Sequence, residues 1–235
     1  MPVDVKIDWA SHNAARFACQ NWHYSKSIPA GKLVKVGVWE QEKYVGVVIF
    51  ARGANKSMLS PFGLSQDQGC ELARIALRSH ETPVSKIVAI SLKMLRKKFP
   101  SLQLVVSYAD CDQSHHGGIY QAGNWIYDGR HNAGTRGGFI INGRKTHNKT
   151  VHSRGVRQTL SDVRSKLDPN AQEFITTGKH RYLMPLNKEI KKKLESRSQP
   201  YPKRVEGVES DTPAIQAGEG GATPTSTLQT KEAHG

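Results

Sequence analysis

The residues best suited to chemistry gather in two places along this 235-residue chain. The denser is the polar segment Asp110-Cys111-Asp112-Gln113-Ser114-His115-His116, directly after the apolar run Leu102 to Tyr108. A D-x-D-x-x-H-H pattern presents carboxylates and imidazoles together, a ligand mixture that suits iron or zinc better than magnesium. The same spacing also fits a polar loop in which Asp110 pairs with an arginine. The second place is His23-Tyr24, in a turn closed by Pro29 and Gly31. Its imidazole could take a proton or bind a metal, and its phenol could position a ring; a surface capping pair would look the same. Arg74 stands inside the apolar stretch ELARIAL, where a charge is costly without a partner. That partner is either Glu71, Asp110 or Asp112 in the core, or a ligand carboxylate or phosphate gripped by the planar guanidinium. Ser85 falls in the first turn of a helix, where a hydroxyl ordinarily bonds the backbone. Cys19, Cys70 and Cys111 form no C-x-x-C pair, which excludes a zinc finger, and a nucleophile at Cys111 is the weakest of the candidates.

The elements that must position these groups are a strand at Leu72 to Leu77, a helix after Thr82-Pro83, a strand at Leu102 to Tyr108 and a second helix at Ile119 to Trp125. Thr82 reads as a helix cap followed by proline at the first helical position, with Lys97-Lys98 at the carbonyl end and Pro100 as the stop. In such a unit ligands gather at the carboxyl ends of the strands, where Ser79, His80, Thr82, Ser85, Asp110, Asp112, Ser114, His115 and His116 all fall. Upstream, residues 9–20 pattern as an amphipathic helix, and Leu33 to Glu40 with Tyr44 to Phe50 as a hairpin. Residues 52–68 read as a loop over the site. Downstream come a strand at Gly138 to Asn142, a basic helix over 151–167, an extended KHRYLMPL segment and a last basic helix at Lys188 to Leu194. Trp125, Tyr127 and Phe139 read as core. The whole is expected to be one mixed α/β domain over 1–195, with a mostly antiparallel open sheet flanked by helices, and a disordered polar tail over 196–235.

The formal net charge is +14, and its placement narrows the partners. From Arg130 to Lys193 fifteen Lys/Arg stand against four Asp/Glu, whereas the tail from Arg197 is near neutral. A localised basic surface of that kind suits a polyanion such as nucleic acid. The expected phosphate contacts are Arg144, Lys145, Arg154, Arg157, Lys179 and Arg181. Few cysteines, no long apolar span and no signal peptide point to a cytoplasmic, non-membrane protein.

Several ordered pieces carry a resemblance: NWHYSKSIPAGK, VGVWE, YVGVVIFARGAN, CELARIAL, PVSKIVAISLK, SYAD and HHGGIYQAGNWIYDG. Over roughly residues 20–185 the chain resembles the bacteriophage Mu Mom family. The resemblance implies an enzyme that adds a carbamoylmethyl (acetamido) group to N6 of adenine in phage DNA, protecting it from host restriction, on a GNAT-like acyltransferase fold. It also implies site roles for His23, Tyr24, Arg74, Ser85 and Asp110, with Tyr120 as general acid. His23 would take the proton from adenine N6, and double-stranded DNA would yield its adenine by base flipping. In acyltransferases of this kind a glycine-rich loop after the fourth strand holds the coenzyme A pyrophosphate. Here that place reads Arg78-Ser79-His80-Glu81-Thr82-Pro83, with no glycine, one proline lacking an N–H and an added negative charge. Acetyl-CoA is therefore doubtful as donor, and iron is a possible cofactor for a transfer that forms a nitrogen–CH2 bond. Two alternatives remain: an ordinary acyl-CoA N-acetyltransferase, and a non-enzymatic nucleic-acid binder.

Overall fold

The computed structural model describes residues 4–53 and 57–203. In chain order the elements are β1 (Val5–Trp9), α1 (His12–Trp22), β2 (Leu33–Glu40), β3 (Lys43–Ala51), β4 (Gly69–Leu77), α2 (Val84–Lys98) and β5 (Leu104–Asp110). There follow α3 (Gly118–Gln121), β6 (Ile126–His131), β7 (Arg136–Ile141), β8 (Arg144–His147), α4 (Asn148–Ser153), α5 (Leu160–Lys166), β9 (Gln172–Ile175), β10 (Lys179–Pro185) and α6 (Lys188–Leu194). The principal sheet has the order β1-β2-β3-β4-β5-β10-β6. Every neighbouring pair in it is antiparallel except β4 and β5. The expected mixed, mostly antiparallel α/β sheet is thus the one observed.

Two features of this sheet position the site. First, β4 and β5 pair in parallel over only three residues, Gly69↔Leu104 to Glu71↔Val106. Beyond Glu71 the ladder stops, and a register shift between β3 and β4 falls where Arg74 and Leu72 face Ile49 and Phe50. The two strands therefore leave a wedge, bounded by Arg74 on one side and Asp110 on the other. Second, cores lie on both faces of the sheet. One joins Val36, Phe50, Leu72, Leu77 and Val105 to Ile87, Val88, Leu92 and Leu95 of α2. The apolar stripe of α2 dictates this docking, since burial of such side chains is the dominant favourable term. The other face carries α1 through Ala15, Ala18 and Cys19 against Val47, Ile49 and Ala76. On that face too, a 3₁₀ turn at Ser60–Phe62 and helix α6 cover Leu104, Val106 and Leu183. Trp125, Tyr127 and Phe139 are buried, as expected of core residues.

Between β6 and β10 the chain leaves the main sheet and builds a second one, β8-β7-β9, with its own core of Phe139, Ile141, Val151, Val156 and Val163. The strands β6, β8 and β9 are short, with neither clear alternation nor a long apolar run, so sequence periodicity did not reveal them; β1 alternates, but over only the five residues Val5–Trp9, and was missed too. The single helix expected over 151–167 is two helices separated at Gly155, which has φ +72°. The second helix of the central unit is only one turn, Gly118–Gln121. Residues 196–203, expected to open a disordered tail, lie against the domain: Gln199 N donates to Tyr127 O at 2.9 Å, and Tyr201 Oη to Trp125 O at 2.7 Å. Residues 204–235 of that tail lie outside the described residues.

Candidate functional site

The wedge holds a pocket of about 110 Å³ lined by His23, Tyr24, Arg74, Asp110, His115 and Tyr120, together with Glu71, Tyr108, Lys179 and neighbouring β4 residues. Five of the six residues expected to be catalytic are therefore brought together from four separate segments. Ser85 is not among them. It stands in the first turn of α2 with an intermediate exposure, away from the pocket lining.

Asp110 ends β5 and is only 7% exposed. Its register partner in β10 is Lys179, whose Nζ lies 3.1 Å from Oδ2. The other oxygen accepts the Asp112 backbone N–H at 3.0 Å, which starts the tight turn after the strand. Lys179 was expected to face DNA phosphates; instead it neutralises the carboxylate of the pocket.

His23 follows α1 and is 5% exposed. The Ser25 backbone N–H donates to Nδ1 at 3.1 Å, and the Ser25 hydroxyl lies 2.8 Å from the same nitrogen. The neutral ring therefore carries its proton on Nε2. Burial, then the charges of Arg74, His115 and Lys26, push its pKa down to about 3. The imidazole is thus a neutral, oriented hydrogen-bonding group, and a weak base. Tyr24 stacks at 4.3 Å on His23 and meets His115 edge-on at 5.6 Å, yet remains 44% exposed. Burial of its hydroxyl, then Asp110, raise its pKa, so it stays a phenol.

Arg74 does not find the acidic core partner that sequence reasoning offered. Its Nη1 donates to Ala73 O at 2.7 Å, while Nε is buried without a hydrogen-bond partner. Among the described residues no carboxylate lies within ion-pair distance of it. Tyr120 packs between Trp125 and Tyr182, and its hydroxyl is 2.8 Å from Ser107 Oγ. Ser107 Oγ, which donates to the phenol oxygen, also lies 2.9 Å from Leu72 O, so its one proton is shared between the two acceptors.

The expected metal quartet does not assemble. Asp112 turns away from the pocket and accepts from Thr176 Oγ1 at 2.6 Å, Thr177 N at 3.2 Å and Thr177 Oγ1 at 3.0 Å. Burial opposes its charge, but these bonds and Lys145 hold its carboxyl below the usual value. The carbonyl of His116 is bonded by Tyr182 Oη and Gln121 Nε2, and the residue does not line the pocket. Among the described residues no group of three or more His, Cys, Asp or Glu is arranged to hold a metal ion. The residues present do not fit the metal that their spacing suggested. The thiols of Cys19, Cys70 and Cys111 are all pushed up, chiefly by burial, which argues against a thiolate nucleophile.

Sequence reasoning missed a group that bears on the coenzyme question. Glu40, the last residue of β2, accepts the backbone N–H of Glu81 at 2.9 Å and of Thr82 at 2.7 Å. These amides belong to the loop directly before α2, where a pyrophosphate would approach the helix N-terminus, and Pro83, which directly precedes the helix, has no N–H to add. The N-cap of α2 is Pro83, not Thr82, and no side chain caps the helix; the Glu40 carboxylate, 42 residues from Thr82, instead holds the loop that leads into it. Nothing local in the sequence signals this contact. The residues here do not fit the pyrophosphate of coenzyme A.

The phosphate-contact candidates divide in the same way. Arg144, Lys145, Arg154 and Arg157 are exposed on the second sheet and its helices. Arg181 is not available: it is ion-paired through Nη2 to buried Asp128, and its Nε donates to the same carboxylate at 2.6 Å. Arg197 joins that carboxylate at 2.8 Å. Among the described residues no helix is long and apolar enough to cross a membrane.

Comparison with known proteins adds three findings. A family model described as the Mom protein family matches residues 4–203. A methylcarbamoylase Mom of Escherichia phage Mu is 26% identical over 209 residues, covering 85% of this chain and 84% of its own. Among solved structures, a spermidine/spermine N-acetyltransferase from Vibrio cholerae aligns with a TM-score of 0.44 at 9% identity, over 80% of this chain and 96% of that one. A Bacillus subtilis acetyltransferase in complex with CoA aligns at 0.40 and 9% identity, over 79% and 100%. Likeness at that level carries no argument about ligands.

Proposed function

We propose that this chain, which belongs to the Mom protein family, is a transferase that adds a carbamoylmethyl group to N6 of adenine in phage DNA and so shields that DNA from host restriction in the host cytoplasm. The observation that carries the reading is the family match, which spans every residue lining the wedge pocket. The relative's own name, methylcarbamoylase, supports the nature of the group transferred.

The adenine amino group is stacked and paired within a duplex, so the base must be turned out to react. Tyr24, exposed at the mouth of the pocket beside His23, offers the aromatic face on which such a base would rest. The Nε2–H of neutral His23 is a donor to a ring nitrogen or carbonyl oxygen. Arg74 holds a buried N–H with nothing bonded to it, suited to the carboxamide oxygen of the incoming group.

The donor required is an electrophile bearing a leaving group on the CH2 carbon of an acetamide. The N6 lone pair forms the N–C bond while the carbon–leaving-group bond breaks, its electron pair departing with the leaving group. N6 then sheds a proton. A carboxylate suffices for this step because nitrogen is acidic once the bond has formed. Asp110, held by Lys179 at the strand end, is placed to receive it. An acyl-CoA N-acetyltransferase is disfavoured by Glu40, which fills the amide pair that its coenzyme would need.

Plasmid DNA from cells expressing the chain tests this reading. It should resist restriction enzymes whose sites contain adenine, and plasmid from cells expressing Asp110→Asn should be cut normally. Equal cutting of both, with both proteins soluble and abundant, would overturn it.

A further inference from the structure

Residues 132–178 leave the main sheet between β6 and β10 and fold around a separate core. This lobe carries eight Lys/Arg against three Asp/Glu. Some of those cations are committed within it: Arg136 pairs with Glu173 at 2.7 Å, and Arg164 Nε donates to Ala171 O at 2.9 Å. Arg144, Arg154 and Arg157 are exposed, and among the described residues they have no carboxylate partner. The lobe meets the pocket loop around Asp112. Asp112, two residues beyond Asp110, takes three hydrogen bonds from Thr176 and Thr177 on the limb returning from the lobe. Lys145 of β8 reaches the same carboxylate at 3.7 Å. Next to this contact Cys111 N donates to Gly178 O at 3.1 Å, and Gly178 has no room for a side chain, since a Cβ would lie 2.6 Å from His131 O. The residue that follows is Lys179, the partner of Asp110.

We infer that segment 132–178 is a duplex-engaging lobe latched to the pocket loop by Asp112, so that contact with DNA phosphates at Arg144, Arg154 and Arg157 fixes the Asp110–Lys179 pair. Asp112 is then a positioning residue. This rests on the DNA-modifying reading above for its consequence but not for its geometry. The threonine hydroxyls, the backbone amide and Lys145 facing Asp112 satisfy its charge without a metal ion. Phosphate contacts on the lobe supply affinity without sequence reading, as backbone contacts do generally. The latch transmits that contact to the loop because the two threonines and Lys179 lie on one continuous backbone.

The test uses the full chain with a duplex oligonucleotide and hydrogen–deuterium exchange. In wild type, duplex should slow exchange in the lobe and also in residues 110–116. In Asp112→Asn and in Thr176→Val, which cuts the latch from its other side, the lobe should still be protected while protection of 110–116 is lost. Affinity for the duplex should stay within about twofold, because the phosphate contacts are intact. Adenine modification should fall at least about tenfold. Protection of 110–116 retained in both variants, or missing in wild type when the lobe is protected, overturns the latch. Exchange in the lobe unaffected by duplex overturns its assignment as the DNA surface. Wild type that shows the coupled protection but modifies no adenine leaves the latch standing and removes the reading on which its consequence rests.

Discussion

Replacing Glu40 should both loosen the fold and reopen an anion site. Its carboxylate is buried and accepts two backbone N–H groups at 2.9 and 2.7 Å where α2 begins. Hydrogen bonds to a charged group are worth about 1.5–3 kcal/mol each, and glutamine keeps one acceptor while turning an NH2 toward the second amide. Loss of one such bond and of a favourable charge near the helix N-terminus gives about 2–3 kcal/mol for Glu40→Gln. Burial opposes the charge, but hydrogen bonds from the Thr82 side chain and from the Glu81 and Thr82 backbone, with His80, hold the carboxyl below its usual value. A depressed folded pKa means that this stability is present above the unfolded value and is lost as pH falls through the folded one. Urea unfolding at pH 7 should therefore separate wild type from variant, and the gap should close below pH 4.5, the ordinary value. Calorimetric titration with coenzyme A supplies the second arm: no binding to wild type, and measurable binding to a folded Glu40→Ala chain whose amides are free. Glu40→Gln within about 0.5 kcal/mol of wild type at pH 7, or tight coenzyme A binding by wild type, would refute the reasoning.

His23 should leave no limb near neutrality in the pH profile of modification, since its pKa sits near 3. Because that value is below the unfolded 6.5, stability from the neutral ring is full above pH 6.5 and declines toward pH 3, by up to about 1.4 kcal/mol per unit; urea unfolding of wild type and His23→Asn between pH 7 and 5 measures it. Arg74→Met should lower modification by at least about tenfold at a stability cost of about 1 kcal/mol, because it removes the unpartnered Nε–H and a single hydrogen bond, from Nη1 to Ala73 O; a folded variant of full activity would contradict this. Gly117→Ala should destabilise by about 1–3 kcal/mol or more in urea unfolding, since φ is +83° and a Cβ would lie 2.3 Å from the Tyr182 ring. Duplex affinity should fall steeply with salt, and each of Arg144→Ala, Arg154→Ala and Arg157→Ala should reduce the slope of log K against log salt by about one, whereas Arg181→Ala should lower stability instead.

The central unit was legible because its signals are local. The apolar stripe of α2, the continuous run of β5 and the hairpin of β2 and β3 each carry their own period. Asp110 was legible for the same reason, as the one charged residue of a buried strand, at its carboxyl end. What the sequence concealed is register and distance. Lys179 meets Asp110 because β10 runs antiparallel beside β5, and Glu40 meets the Glu81 and Thr82 amides because β2 ends beside a loop 41 to 42 residues further along the chain. Asp112 and His116 looked like ligands because they sit near Asp110 in sequence. The tight turn after β5 sends Asp112 toward Thr176 and Thr177, and the carbonyl of His116 serves Tyr182. Arg181 looked like surface charge because Asp128, its buried partner, lies 53 residues off.

The most direct measurement is tandem mass spectrometry of the nucleosides in plasmid DNA from cells expressing the chain, with Asp110→Asn and Glu40→Gln alongside. The account predicts deoxyadenosine carrying a carbamoylmethyl group at N6, absent with Asp110→Asn and present with Glu40→Gln wherever that variant remains folded. Unmodified deoxyadenosine from abundant, folded wild type, or an N6-acetyl group in its place, would contradict it.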